Sequence, residues 1–147
     1  MEAAALLPAF LLLVLLGLQP ACLLYTRAVM ESAAAETARL MVTAEAEGDD
    51  AYRAFALRRL AAVPDVSIFH VGGPLSWEVG LSRAGEGGAV GVSIEGAARP
   101  LPILGALAPA MGALDANGDV GLRVEVSYDG RPGWLEGGYD AWTSIWE

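Results

Sequence analysis

Residues 3–25 read AAALLPAFLLLVLLGLQPACLLY, a run without a charged side chain. At 1.5 Å per residue a helix of this length reaches roughly 34 Å, enough to cross the hydrocarbon core of a bilayer with some tilt. The run therefore predicts a transmembrane anchor that carries the rest of the chain. Glu2 opens it, and an ionised carboxylate at membrane depth is costly unless it stays at the interface or meets a cation. Pro8 falls early in the run, Gly17 and Pro20 late. The N–H missing from Pro20 frees the carbonyl of Leu16 and predicts a bend there. Ala5 with Ala9, and Gly17 with Ala21, set small residues four apart. That spacing admits a second helix at close range, although a chain rich in alanine and glycine also produces such pairs by composition alone.

Outward from the run, length and charge bound the rest. Roughly 120 residues follow, enough for one modest domain. The formal charge is −9, and every basic residue is an arginine, scattered along the chain. Phosphate recognition needs a clustered basic face, so nucleic acid is not an expected partner. The single cysteine, Cys22, lies inside the run, which excludes an intrachain disulfide. A cleaved secretory signal is not expected: the basic n-region is missing, and the run passes into LLYTRAVMESAAAETARL without a break. Lipid attachment at Cys22 is not expected either, because Gln19, Pro20 and Ala21 lack the aliphatic start of a lipobox. Arg27 after the run, with nothing basic before it, would by itself put the C-terminal side in the cytoplasm. Glu31 and Glu36 follow closely, so charge alone leaves the orientation open.

From residue 27 to about residue 47 the pattern is that of an amphipathic helix. Val29, Met30, Ala33, Ala34, Thr37, Leu40 and Met41 recur at steps of three and four. Arg27 with Glu31 and Glu36 with Arg39 form surface pairs on the other faces. The anchor and this segment together predict one rod of more than forty residues. Gly48-Asp49-Asp50 ends it, with Asp49 or Asp50 capping a second helix over 51–63 that Pro64 stops. Tyr52, Phe55, Ala56 and Leu60 form its apolar face, and Arg53, Arg58 and Arg59 a basic cluster. That cluster reads as a solvated face beside acidic neighbours, with an anionic-lipid contact as the alternative.

Beyond Pro64 the period changes to two. Residues 66–71 predict a strand ended by Gly72-Gly73-Pro74, and residues 75–81 its antiparallel partner. Val90, Val92 and Ile94 mark a third strand; Val120, Leu122, Val124, Val126 and Tyr128 mark the clearest one. Residues 100–111 are apolar but broken by Pro100, Pro102, Gly105 and Pro109. They predict a covering loop, with a short helix near 104–108, that is too short to span a membrane. Trp134, Tyr139, Trp142 and Trp146 in the tail predict aromatic closure of a small core, an exposed subunit or membrane contact being the sharper alternative.

Candidate chemistry is sparse. His70 is the only histidine, so a transition-metal site is not expected and a structural imidazole is. Asp65, Ser67 and His70 have the residue types of a triad, but no nucleophile-elbow sequence accompanies them. Asp115, Asn117 and Asp119 alternate like the opening of a calcium loop. Val120 stands where such a loop needs glycine, and Val126 where it needs a bidentate glutamate, so a turn before a strand is expected. Neither an enzyme, a cofactor nor a small-molecule substrate is predicted.

The N-terminal constellation resembles the TadE-like pilus-assembly proteins, minor pilins or pseudopilins of the tight-adherence branch of type IV pili. The resemblance rests on Glu2 opening an apolar helix with Leu7 and Pro8 soon after, and on Gly17 mid-span. It continues through the exit Leu24-Tyr25-Thr26-Arg27 into an alanine-rich helix with Thr37-Ala38-Arg39. It covers roughly the first forty-five residues. It implies an α+β fold in which the long N-terminal helix carries a small antiparallel sheet. It also implies subunit assembly through Glu2, Pro8, Gly17, Tyr25 and Arg27, with Glu2 pairing the terminal amine of a neighbouring subunit. The implied partners are membrane lipid, other pilin-like subunits and the pilus-assembly machinery, and the implied location is a single-pass protein with its C-terminal domain outside the cytoplasm. A leader of that kind ends in glycine a few residues before the glutamate, whereas here Met1 alone precedes Glu2. The expectation is then a start assigned too far downstream or a protein processed differently. The organisation expected is a membrane helix over 1–26, an amphipathic segment over 27–63 and a β-rich domain over 64–147. The competing class is a single-pass envelope protein whose small domain binds an extracytoplasmic partner unrelated to pili.

Overall fold

The computed structural model describes residues 2–43, 48–83, 88–102, 114–130 and 143–144, without the side chains of Glu2, Ala3 and Ala5. The first element is one uninterrupted helix, α1 (Glu2–Thr43), 42 residues long with Pro8 and Pro20 inside it. At 1.5 Å per residue it reaches about 63 Å, twice the thickness of a bilayer core. Helix α2 (Asp49–Leu60) folds back on α1. Three strands follow, β1 (Glu78–Arg83), β2 (Val90–Ala98) and β3 (Val120–Tyr128), in an antiparallel sheet of order β1-β2-β3. The fold is α+β.

The sheet alternates as its sequence requires. Val90, Val92, Ile94 and Ala98 of β2 and Val124 of β3 are buried against the helices, while Ser93, Glu125 and their neighbours face outward. Register pairs Val92 with both Leu81 and Val126, so apolar residues stack across the inner face. Gly80 faces Ser93, and Ser82 faces Gly91. On the outer face each serine hydroxyl lies over the opposing glycine, in space that a Cβ would take. The core joins Met30, Ala33, Ala34 and Ala38 of α1 to Leu60, Val63, Trp77, Val92, Ile94 and Val124. Alanines on α1 let the sheet lie close to the helix; the buried face of α2 is Tyr52, Ala56 and Leu60, at steps of four.

Three expectations change. Residues 66–71 are not a strand but a turn: the N–H groups of Phe69 and His70 both donate to the carbonyl of Val66, at 2.8 and 3.1 Å. This bend carries the chain from α2 to the edge of the sheet. Its backbone hydrogen bonds to β2 and the residue just beyond it are Val71 N–H to the Ala97 carbonyl and the Arg99 N–H to the Ser67 carbonyl. Strand β1 accordingly starts at Glu78 and pairs with β2 instead. Asp49 and Asp50 do not cap α2 by a side-chain hydrogen bond; Gly48 is the N-cap and the two aspartates sit in the first turn. There their charges favour the positive end of the helix dipole. The Asp115 segment is the expected turn: Asp115 Oδ1 accepts from the N–H groups of Asn117 and Asp119 at 2.8 and 2.9 Å. Gly118 adopts φ +80°, a conformation glycine tolerates. The loop expected over 100–111 and the four tail aromatics lie almost wholly outside the described residues.

Candidate membrane and assembly surface

α1 divides into two unlike halves. From Met30 to Ala38 one face is sealed in the core. Between Leu6 and Leu18 the helix is largely uncovered, and Leu6, Leu7, Phe10, Leu13, Val14 and Leu18 are all exposed. In water, that much unpartnered apolar surface on a monomer is unfavourable at about 25 cal/mol per Å². The helix is long and apolar enough to cross a membrane. Its bare half is the largest run of exposed apolar side chains among the described residues.

The five residues singled out in the sequence lie along this rod and do not converge. Glu2 and Arg27 are 25 positions apart, about 37 Å along a helix axis. Glu2 occupies the first position of α1. Pro8 is exposed, and Gly17 is bordered by open space. Tyr25 is engaged within the chain: its hydroxyl donates to the Ala62 carbonyl at 3.1 Å, and its ring meets Phe69 edge to face at 5.9 Å. Arg27 pairs with Glu31 at 3.0 Å on an open face, which contributes little. Arg59 reaches Glu36 between α2 and α1 at 2.5 Å, and Arg53 lies 3.9 Å from Asp50. Two of the three arginines of the basic cluster, Arg53 and Arg59, therefore face carboxylates.

Two residues to which the sequence reading gave no packing role join the halves. Gln19 is 1% exposed although it lies within the apolar run. Its Nε2 donates to the Arg99 carbonyl at 3.2 Å, and the Leu101 N–H donates to its Oε1. Thr26 is fully buried, and its hydroxyl donates to the Phe69 carbonyl at 3.1 Å. Gln19, Cys22, Thr26, Met30, Ala33 and Thr37 are buried at steps of three and four, one straight stripe that starts inside the apolar run. The available signal was Gln19 itself, the one carboxamide among aliphatic neighbours.

His70 is buried. Its ring stacks on Trp77 at 3.6 Å and 10°, over Gly96, where a Cβ would overlap the indole. Nε2 lies 2.7 Å from the Ser76 hydroxyl, which in turn lies 3.0 and 2.9 Å from the carbonyls of Val71 and Gly73. With the hydroxyl proton committed to a carbonyl, the network assigns the proton of the neutral ring to Nε2. Nδ1 is buried without a hydrogen bond. Burial holds the imidazole pKa below its ordinary 6.5, against the opposing influence of the Ala97 and Gly73 carbonyls and the Asp65 carboxylate. No carboxylate orients Nδ1, so Asp65, Ser67 and His70 do not form a triad. An open groove of about 510 Å³ beside this cluster is lined by Ser76, Glu78, Glu95 and Arg123. Of its charged residues, Arg123 pairs with Glu95 at 2.8 Å. No cluster of three metal-ligating side chains occurs among the described residues.

No protein family, curated protein or solved structure matches this chain.

Proposed function

We propose that this chain is a membrane-anchored, TadE-like assembly component of a pilus or related secretion apparatus, acting by helix–helix assembly and not by catalysis. The observation that carries the reading is the division of α1: a bare apolar half continuous with a half that holds an α+β head. A rod of that kind serves two successive environments. Before assembly, lipid covers Leu6 to Leu18; after assembly, the equivalent helices of neighbouring subunits replace lipid. The head stays outside the cytoplasm and faces outward from the assembled bundle. Pro8 and Gly17 lie on the bare half, where a neighbour's helix would meet them. Tyr25 and Arg27 belong to the exit, where α1 passes into the head. Glu2, at the first position of the helix, acts as a register device: a carboxylate in an apolar bundle is tolerated where a neighbour supplies a cation.

Glu2→Ala in the native host tests this reading. Piliation and recovery of neighbouring subunits are expected to be lost while insertion of the variant into the membrane fraction is retained. Unchanged assembly with the variant would overturn the register role and favour a simple anchored envelope protein.

A further inference from the structure

The contacts of Gln19 bear on where the head sits relative to the membrane. Arg27 is the first charged residue after the apolar run, and Gln19 precedes it by eight positions, about 12 Å along the axis. In this band the outward side of α1 remains apolar, with Leu24 68% exposed. The inward side is covered by the head. Arg99 and Leu101 present their backbone to Gln19, and Phe69 presents its carbonyl to Thr26. One band of the helix therefore presents apolar side chains outward on one side and meets loop backbone on the other.

We infer that the head is partly immersed in the bilayer that α1 crosses, with the backbone around Arg99 and Leu101 and the turn at Val66 to Phe69 seated among phospholipids. This rests on reading α1 as a membrane anchor. The headgroup layer on each side of the hydrocarbon core is roughly 5–8 Å deep. Even with Arg27 at its outer edge, a segment 12 Å deeper reaches the acyl chains. Lipid offers no partner for loop backbone, so irregular chain at that depth must be satisfied by protein. Gln19 does this, accepting from one loop N–H and donating to one loop carbonyl. The same pairing satisfies its own carboxamide, which would be costly alone in an apolar run. The rim fits a lipid neighbour. Val66 is 53% exposed, Pro102 is exposed, and Pro100, Leu101 and Pro102 carry no charge. The Arg99 guanidinium reaches away to Asp119, at 3.6 Å, on a stem long enough to lie along apolar surface. Asp65 is the remaining charge on this rim.

The test uses the full chain carrying Cys22→Ala, reconstituted in phosphatidylcholine and phosphatidylglycerol vesicles. Single cysteines replace Val66, Pro102, Leu13 or Asn117 and carry an environment-sensitive fluorophore, with lipids brominated high on the acyl chain as quencher. Reporters at 66, 102 and 13 are expected to lose most of their emission, while the reporter at 117 keeps its own. If 66 and 102 resist quenching as 117 does while 13 is quenched, the head stands clear of the bilayer and the inference is overturned. If 13 also resists quenching, the anchor reading fails and this inference fails with it. Adding Gln19→Leu to the Pro102 reporter is expected to reduce its quenching and leave that at 13 unchanged; unchanged quenching at 102 overturns the role of Gln19 in holding the loop at that depth.

Discussion

Single residues in this chain do work that their neighbours cannot replace. Trp77, Gly96 and His70 form a stack with no room between its layers, and His70 enters it as a neutral ring with a bare Nδ1. Its folded pKa is depressed by burial, so the folded state binds the proton less readily than the unfolded chain. The sign follows from linkage: stability is full above pH 6.5, the unfolded value, and falls as pH drops from there through the folded pKa. Because His70 is the only histidine, a single imidazole resonance reports it. An NMR titration in detergent is expected to give a midpoint below 6.5, and His70→Gln is expected to remove the corresponding loss of thermal stability on mild acidification. A midpoint at or above 6.5 would contradict the buried neutral ring. His70 illustrates what sequence patterning conveys and what it omits: its structural role was legible from its isolation, but its partners Ser76 and Trp77 come from the turn after it, not from a strand pair.

At the scale of elements, α1 is one helix under two packing regimes. Ala33, Ala34 and Ala38 are sealed against α2 and the sheet, whereas Val14 and most of its neighbours are exposed. Ala38→Leu is expected to destabilise the head by about 1–3 kcal/mol through overpacking, and Val14→Ala to change it by less than about 0.5 kcal/mol. Thermal melts in one detergent check both; equal effects would show that the division of α1 is absent in solution. The long rod, α2 and β3 were legible because each carries an apolar period over nine or more residues, and β2 from the shorter alternation of Val90, Val92 and Ile94. Residues 66–71 have the same composition as a strand, yet fold back on the Val66 carbonyl. What decides this is the distance the chain must cover between α2 and the sheet edge, together with capture of the Phe69 carbonyl by Thr26. Both are tertiary, and local alternation contains neither. Gln19 meets Arg99 across 80 positions, a pairing that no local pattern could disclose.

As a whole molecule, the chain is an acidic α+β head set on an apolar rod, with a net charge of −9. The head's own core is complete without the first eighteen residues, since none of the buried hydrophobic residues among those described comes from them. Their apolar surface is thus exposed for contact between molecules; under the proposed function it meets lipid before assembly and like helices after it. A photo-crosslinking residue at Leu13, 66% exposed on that half, tests this most directly in the native host. Irradiated cells are expected to give adducts joining Leu13 to the apolar helix of a neighbouring subunit, lost in Glu2→Ala. Adducts to lipid alone, in cells that bear assembled pili, would contradict assembly through α1.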